Sequence, residues 1–195
     1  RVRLSDGRVL EGRMVVDATG RGALIARKRK LVERLEMYGR VGIYNYFEGL
    51  PPHDGEDGDY VTMYLFEGGW VWMIPLADGR TSVGVVLGAR SEKGEGGSQR
   101  GAEGTFWEVV GRMPRLAGRL KAGRATEVYR ADADYSYAVA EQFGERWVLV
   151  GDAGGFLDPI FSSGVHLALA SAARASAAVV IKLGGGGVGG MREYQ

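Results

Sequence analysis

The chain of 195 residues contains no cysteine, which excludes disulfides and thiolate metal sites and makes a reducing cytoplasm the expected compartment. It has two histidines, His53 and His166, too few for a histidine-built metal cluster. No stretch approaches about 18 uninterrupted apolar residues, so no membrane span is expected. No signal peptide is visible at the start. Excess charge is lacking too: 25 Lys and Arg stand against 24 Asp and Glu, a net charge of +1. That balance argues against nucleic acid as a partner, because a nucleic-acid footprint needs clustered excess base. The one basic block, Arg27-Lys28-Arg29-Lys30, reads as a solvated helix end or loop.

Glycine is present in quantity. There are 33, against an ordinary usage of roughly 7%. Some sit in the stretch Gly184 to Gly190, which reads as a flexible end. The remainder punctuate short strands and turns. An Asp6-Gly7 hairpin opens the chain, and an apolar strand then closes on Asp17-Ala18-Thr19-Gly20-Arg21. Residues 24–36 read as helical or irregular. A strand over 40–47 and three more over 60–66, 69–75 and 80–87, joined by tight-turn residues, predict an antiparallel meander. Residues 51–59 and 91–104 read as loops. A helical pattern over 106–120 is interrupted at Pro114. Strands are expected at 125–130, 135–140 and 146–150, and a helix at 164–183.

Two motifs carry chemistry. The first is Gly151-Asp152-Ala153-Gly154-Gly155-Phe156-Leu157-Asp158-Pro159-Ile160-Phe161-Ser162-Ser163-Gly164. It follows an apolar strand and precedes a helix. A carboxylate at the carboxyl edge of a sheet, Asp152, can accept hydrogen bonds from ligand hydroxyls. Small residues let the backbone approach a ligand closely. Pro159 stiffens the turn. Free N–H groups at Ser163 and Gly164 begin the helix and suit an anion. The Ala18-Thr19-Gly20 segment likewise lets a ligand lie over a strand end. The second motif is Trp70-Val71-Trp72-Met73-Ile74-Pro75. Residues two apart on a strand share a face, so the indoles form one aromatic wall, either packed sheet surface or the side of a site.

These residues resemble those of flavin-dependent halogenases, in the tryptophan-halogenase-like branch of the p-hydroxybenzoate-hydroxylase-type flavoproteins. Phe156, Pro159, Ser162 and Gly164 fill the F-x-x-P-x-x-S-x-G pattern of that branch, and Trp70, Trp72, Ile74 and Pro75 fill its W-x-W-x-I-P pattern. The resemblance implies an α/β (α+β) fold: part of a Rossmann-like FAD-binding domain with an inserted antiparallel β-sheet substrate domain. Residues 1–36 and 141–183 are expected in the first, 37–140 in the second, with 184–195 a tail. It implies FAD contacts at Ala18, Thr19, Gly20, Gly151, Asp152, Ala153, Gly154, Phe156, Pro159, Gly164 and Val165, with halide held by Ser163 and Gly164. Trp70, Trp72, Ile74 and Pro75 would keep the organic substrate from the flavin. Reduced FAD would come from a separate flavin reductase. The substrate would be an electron-rich aromatic, free or tethered to a carrier protein.

The family's G-x-G-x-x-G fingerprint and its catalytic lysine are absent from these 195 residues. The chain is therefore expected to be part of a longer enzyme, inactive alone and binding FAD weakly or not at all. A flavin monooxygenase or a geranylgeranyl-reductase-like enzyme on the same fold is the alternative function. A truncated remnant without catalysis is the alternative of another class.

Overall fold

The computed structural model describes residues 1–35, 39–51, 60–88, 101–133, 135–187 and 189–194. The elements are β1 Val2–Arg3, β2 Val9–Leu10, β3 Val15–Asp17, α1 Leu24–Arg29, β4 Val32–Arg34, β5 Arg40–Glu48, β6 Thr62–Phe66, β7 Gly69–Pro75 and β8 Thr81–Gly88. They continue with α2 Gly101–Gly111, α3 Pro114–Lys121, β9 Arg124–Ala125, β10 Arg130–Ala133, β11 Tyr137–Val139, β12 Phe143–Gly144, β13 Trp147–Leu149, β14 Gly155–Phe156, α4 Gly164–Leu183 and α5 Gly189–Tyr194. The chain divides into two units, Arg1–Glu36 with Tyr135–Gln195, and Met37–Asp134.

In the first unit β3 and β13 run parallel, Val15 opposite Trp147 and Asp17 opposite Leu149, with β12 on the outer side of β13. Strand alternation splits β13 between two cores. Trp147 and Leu149 face Ala23, Ala26, Tyr137 and Val139. Val148 and Val150 face Ala175 and Ala178 of α4 and Met191 of α5. A second small sheet, β14-β11-β4, is antiparallel throughout.

The second unit is an antiparallel sheet in the order β10-β5-β8-β7-β6, with β9 also paired to β5. Ile43, Phe47, Val71, Met73, Val83, Val85 and Leu87 point to one face and pack under Phe106, Val110, Leu116 and Leu120 of α2 and α3. Their alternates, Tyr44, Tyr46, Trp70 and Trp72, form the other face. α3 starts at Pro114, where the missing N–H costs nothing, so the proline separates two helices and begins the second.

Several expectations need correction. The strand expected at 125–130 is two strands, β9 and β10. Between them the buried Asn45 takes over the ladder: its Nδ2 donates to Glu127 O at 2.7 Å and its Oδ1 accepts from Glu127 N at 3.2 Å. The loop expected to run to residue 104 ends earlier, because α2 begins at Gly101. The expected acidic loop falls mostly, and the rest of the polar stretch at 91–100 wholly, outside the described residues. The tail expected to be flexible forms α5 instead. Met191 is fully buried and the Tyr194 hydroxyl donates to Leu149 O, so apolar and aromatic anchors outweigh the glycines before them. One helix among the described residues, α4, is long and apolar enough to cross a membrane by length and composition. The criterion of an uninterrupted apolar run missed it because serines and Arg174 punctuate an Ala-rich segment.

Candidate functional site

The carboxyl ends of β3 and β13 and the first turns of α4 enclose an open cavity of about 490 Å³. Ala18, Gly20, Val150, Gly151, Asp152, Gly164, Val165, Ala168, Leu169 and Ala172 line it. Segments 18–20, 150–152 and 164–172 thus converge on one place, at the strand ends where ligands bind in open α/β sheets. No lining side chain at 18, 20, 151 or 164 extends beyond a methyl group, so backbone is what a ligand would meet. Gly20 and Gly151 have φ of +60° and +57°, a conformation that an L side chain strains. Val165 and Leu169, 74% and 68% exposed, are the apolar wall of this cavity rather than stray surface residues.

Asp17 builds the β3 end. Its carboxylate is buried and accepts from Thr19 N at 3.0 Å, Thr19 Oγ1 at 2.6 Å and Ile25 N at 2.7 Å. Thr19 Oγ1 in turn accepts from Leu24 N at 3.1 Å. The hydroxyl of Thr19 is therefore engaged in shaping the turn that presents Ala18 and Gly20. The β13 end is tied down by residues that sequence reasoning did not single out. Gly151 N donates to Ser171 Oγ of α4 at 2.8 Å, Gln142 Nε2 donates to Gly154 O at 2.7 Å, and the Tyr137 hydroxyl donates to Asp152 O. Their signal in the sequence is weak, since single polar residues lie 12 to 20 positions from their partners with no motif around them. Burial, reinforced by the nearby Asp152 carboxylate, pushes the Tyr137 phenol above its ordinary pKa. The Arg27 guanidinium lies 5.8 Å from the Tyr137 ring and opposes that shift.

Asp152 is left with an open task. Its backbone carbonyl is held, yet among the described residues no donor hydrogen-bonds its side-chain oxygens. A half-buried carboxylate at the cavity wall can receive ligand hydroxyls.

At the start of α4, Ser162 has a φ of +50° and Ser163 a φ of −78°. A left-handed residue followed by a right-handed one turns successive N–H groups to the same side, an anion-binding concavity. The first intrahelical bond from this end is Leu167 N to Ser163 O, and no side chain caps the helix. The N–H groups of Gly164 to His166 thus lack intrahelical partners. Pro159 starts the turn before it, with Ser162 N donating to Pro159 O at 2.9 Å.

Not every expected residue reaches the cavity. Thr19, Ala153, Gly154, Phe156, Pro159 and Ser163 do not line it. Ala153 is fully buried, and the Phe156 ring packs edge-on against Tyr135 at 5.9 Å. In the second unit Trp70 and Trp72 form the expected wall, their ring centroids 5.6 Å apart. Trp72 lies flat across β8 because residue 84 is glycine; a Cβ there would stand 2.1 Å from the indole. Its Nε1 donates to Ser82 Oγ at 3.1 Å. Ile74 and Pro75 close the strand, half-buried.

A family model, tryptophan halogenase, matches residues 1–179. The chain belongs to the tryptophan halogenase family. A relative in this family, the 1H-pyrrole-2-carbonyl-[peptidyl-carrier protein] chlorinase of Pseudomonas fluorescens, is 36% identical over 177 residues, covering 88% of the chain and 39% of the relative. A flavin-dependent halogenase of Penicillium aethiopicum is 34% identical over 85% of the chain and 32% of its own length. Among solved structures, the flavin-dependent halogenase CmlS superposes with a TM-score of 0.83 at 33% identity, covering 96% of the chain and 35% of that protein. The chain thus spans 32% to 39% of the length of these halogenases. It has the mixed helix-and-sheet fold of FAD-dependent halogenases, antiparallel sheet included.

Proposed function

We propose that this chain is the part of a flavin-dependent halogenase that holds the flavin and a halide, chloride or bromide, for transfer to an electron-rich aromatic substrate. The observation that carries the reading is the single cavity where Ala18, Gly20, Gly151, Asp152 and Gly164 converge. Its size falls in the ordinary range for ligand sites, its walls are apolar, and its polar groups are few and convergent. The residues present fit FAD. The Asp152 carboxylate accepts hydroxyls of the ribityl chain. The glycines at 20 and 151 let the ligand lie on backbone. Val165 and Leu169 offer apolar contact to a ring.

The bound flavin, reduced by a separate reductase, supplies oxygen activation. The chain's own contribution is placement. The N–H groups of Ser163 and Gly164, with the positive end of the α4 dipole, hold the halide. These donors are fixed by the fold, so they need no reorganisation as charge moves. Ala153, Gly154, Phe156 and Pro159 hold the loop between Asp152 and Gly164 in shape. Thr19 does the same for Ala18 and Gly20. The wall of Trp70, Trp72, Ile74 and Pro75 excludes the organic substrate from the oxidising centre. An aromatic substrate tethered to a carrier protein is favoured over a free one by the likeness to the carrier-dependent chlorinase.

Product analysis tests the proposal. The protein as encoded is supplied with FAD, a reductase, oxygen, halide and phenol, pyrrole or indole substrates, free and carrier-bound. A halogenated product that changes from chlorinated to brominated with the salt is expected. Oxygenated product alone, with halide present, overturns the reading in favour of a monooxygenase.

A further inference from the structure

On the face of the second unit's sheet turned away from α2 and α3, four rings follow one another in contact. Trp70 and Trp72 are 5.6 Å apart between centroids, Trp72 and Tyr44 6.1 Å, Tyr44 and Tyr46 6.5 Å. Backbone register makes the series continuous across strands. Trp72 pairs with Gly84, and Gly84 pairs with Tyr44, so the glycine lets the indole bridge β8. The opposite face is built mainly on Phe47, Phe106, Val and Met, with Tyr64, Trp107 and Tyr129 packed at its margin. The rings on this face are all indoles and phenols, the side chains that give up an electron most readily.

The indoles differ in a way that sets a direction. Trp70 is 3% exposed and its buried Nε1–H has no hydrogen-bond partner among the described residues. Trp72 donates its Nε1–H to Ser82 Oγ. Loss of an electron makes an indole a cation with a strongly acidic N–H. A hydrogen-bond acceptor stabilises that cation, and a buried site without one does not. An electron vacancy on Trp70 therefore moves to Trp72. From there it moves to a tyrosine, which on oxidation sheds its phenolic proton to water. Tyr44 and Tyr46 are both half-exposed. The Arg80 guanidinium, 4.9 Å from the Tyr46 ring, disfavours electron loss at that ring. The vacancy rests on Tyr44.

We propose that Trp70, Trp72 and Tyr44 form a one-electron relay, carrying oxidising equivalents from the buried end of the wall to a tyrosine that solution reductants reach. The oxidant is a strong one-electron oxidant of the peroxide- or hypohalite-derived radical class. It takes one electron from Trp70 and is reduced. Trp72 refills Trp70, and Tyr44 refills Trp72 and releases a proton to water. One oxidant is consumed and one neutral tyrosyl radical is formed for a thiol or ascorbate to reduce. The relay protects the protein that makes such oxidants, and in that it rests on the halogenase reading of the wall.

The test supplies its own oxidant, so its failure is separable from failure of that reading. Azide radicals from pulse radiolysis oxidise indoles in the full chain carrying Trp107→Phe, which removes the other half-exposed indole. Circular dichroism first establishes that each variant keeps its fold. The indolyl absorption is expected to decay as the tyrosyl absorption rises, at a rate independent of protein concentration. Tyr44→Phe, which deletes one hydroxyl, abolishes the rise, and Tyr46→Phe leaves it. No concentration-independent tyrosyl rise, or a rise that survives Tyr44→Phe, overturns the relay.

Discussion

Asp17 and Asp152 show how two carboxylates at neighbouring strand ends take different tasks. Asp17 spends its oxygens on three donors of its own turn and first helix. Replacing it with alanine strands those donors, one of them the Ile25 N–H bonded at 2.7 Å. A loss of about 2–5 kcal/mol is expected, read as a lower denaturant midpoint with an unchanged slope. Asp152 has side-chain oxygens that no donor among the described residues engages. Asp152→Asn leaves the fold intact and weakens FAD binding by about tenfold to a hundredfold, the worth of one or two hydrogen bonds to a charged group. Flavin fluorescence titration of the encoded protein checks it, and equal affinity in the variant would remove Asp152 from the site. Tyr129 supplies a pH prediction. Burial pushes its phenol up to about 12, from an ordinary value of 10.0. The folded state therefore keeps a proton that the unfolded state loses. This contribution to stability is complete below about pH 10 and falls away as pH rises toward 12. Absorbance titration of phenolate in wild type and Tyr129→Phe resolves the late-titrating group.

Among the elements, those with a strong local rule were legible in the sequence. The meander β6-β7-β8 announced itself through alternation and tight turns, α4 through its apolar run after a glycine-rich loop, and the break at Pro114 through proline chemistry. Elements decided by distant partners were not. The interruption between β9 and β10 depends on Asn45, some 80 positions away, and α5 depends on a pocket for Met191 formed by β13 and α4. For the site, motif reading found the segments that line the cavity. It could not tell lining from support: Thr19, Ala153 and Phe156 read like Ala18 and Gly20, but hydrogen bonding and burial give them a structural task. Met191→Ala should cost about 2–5 kcal/mol, in the range for emptying a buried site, and release α5. Faster amide exchange confined to 189–194 with the same drop in stability would bear this out. Gly84→Val places a Cβ 2.1 Å from the Trp72 indole and is expected to displace it, seen as a shifted tryptophan emission.

At the scale of the whole molecule, each unit presents one chemically distinct surface. The first gathers backbone donors, the Asp152 carboxylate and an apolar wall at the ends of β3 and β13. The second presents a sheet face of indoles and phenols. On the proposed reading the two surfaces serve one task, since a catalyst that makes electrophilic halogen would have to hold halide and flavin firmly and tolerate its own product. The most direct measurement is a crystal structure of the encoded protein with FAD and bromide, recorded at the bromine absorption edge. The account predicts an anomalous peak within hydrogen-bonding distance of the Ser163 and Gly164 N–H groups, with the ribityl chain on Asp152. Flavin bound elsewhere, or bromide absent from the start of α4 when flavin is present, would contradict it.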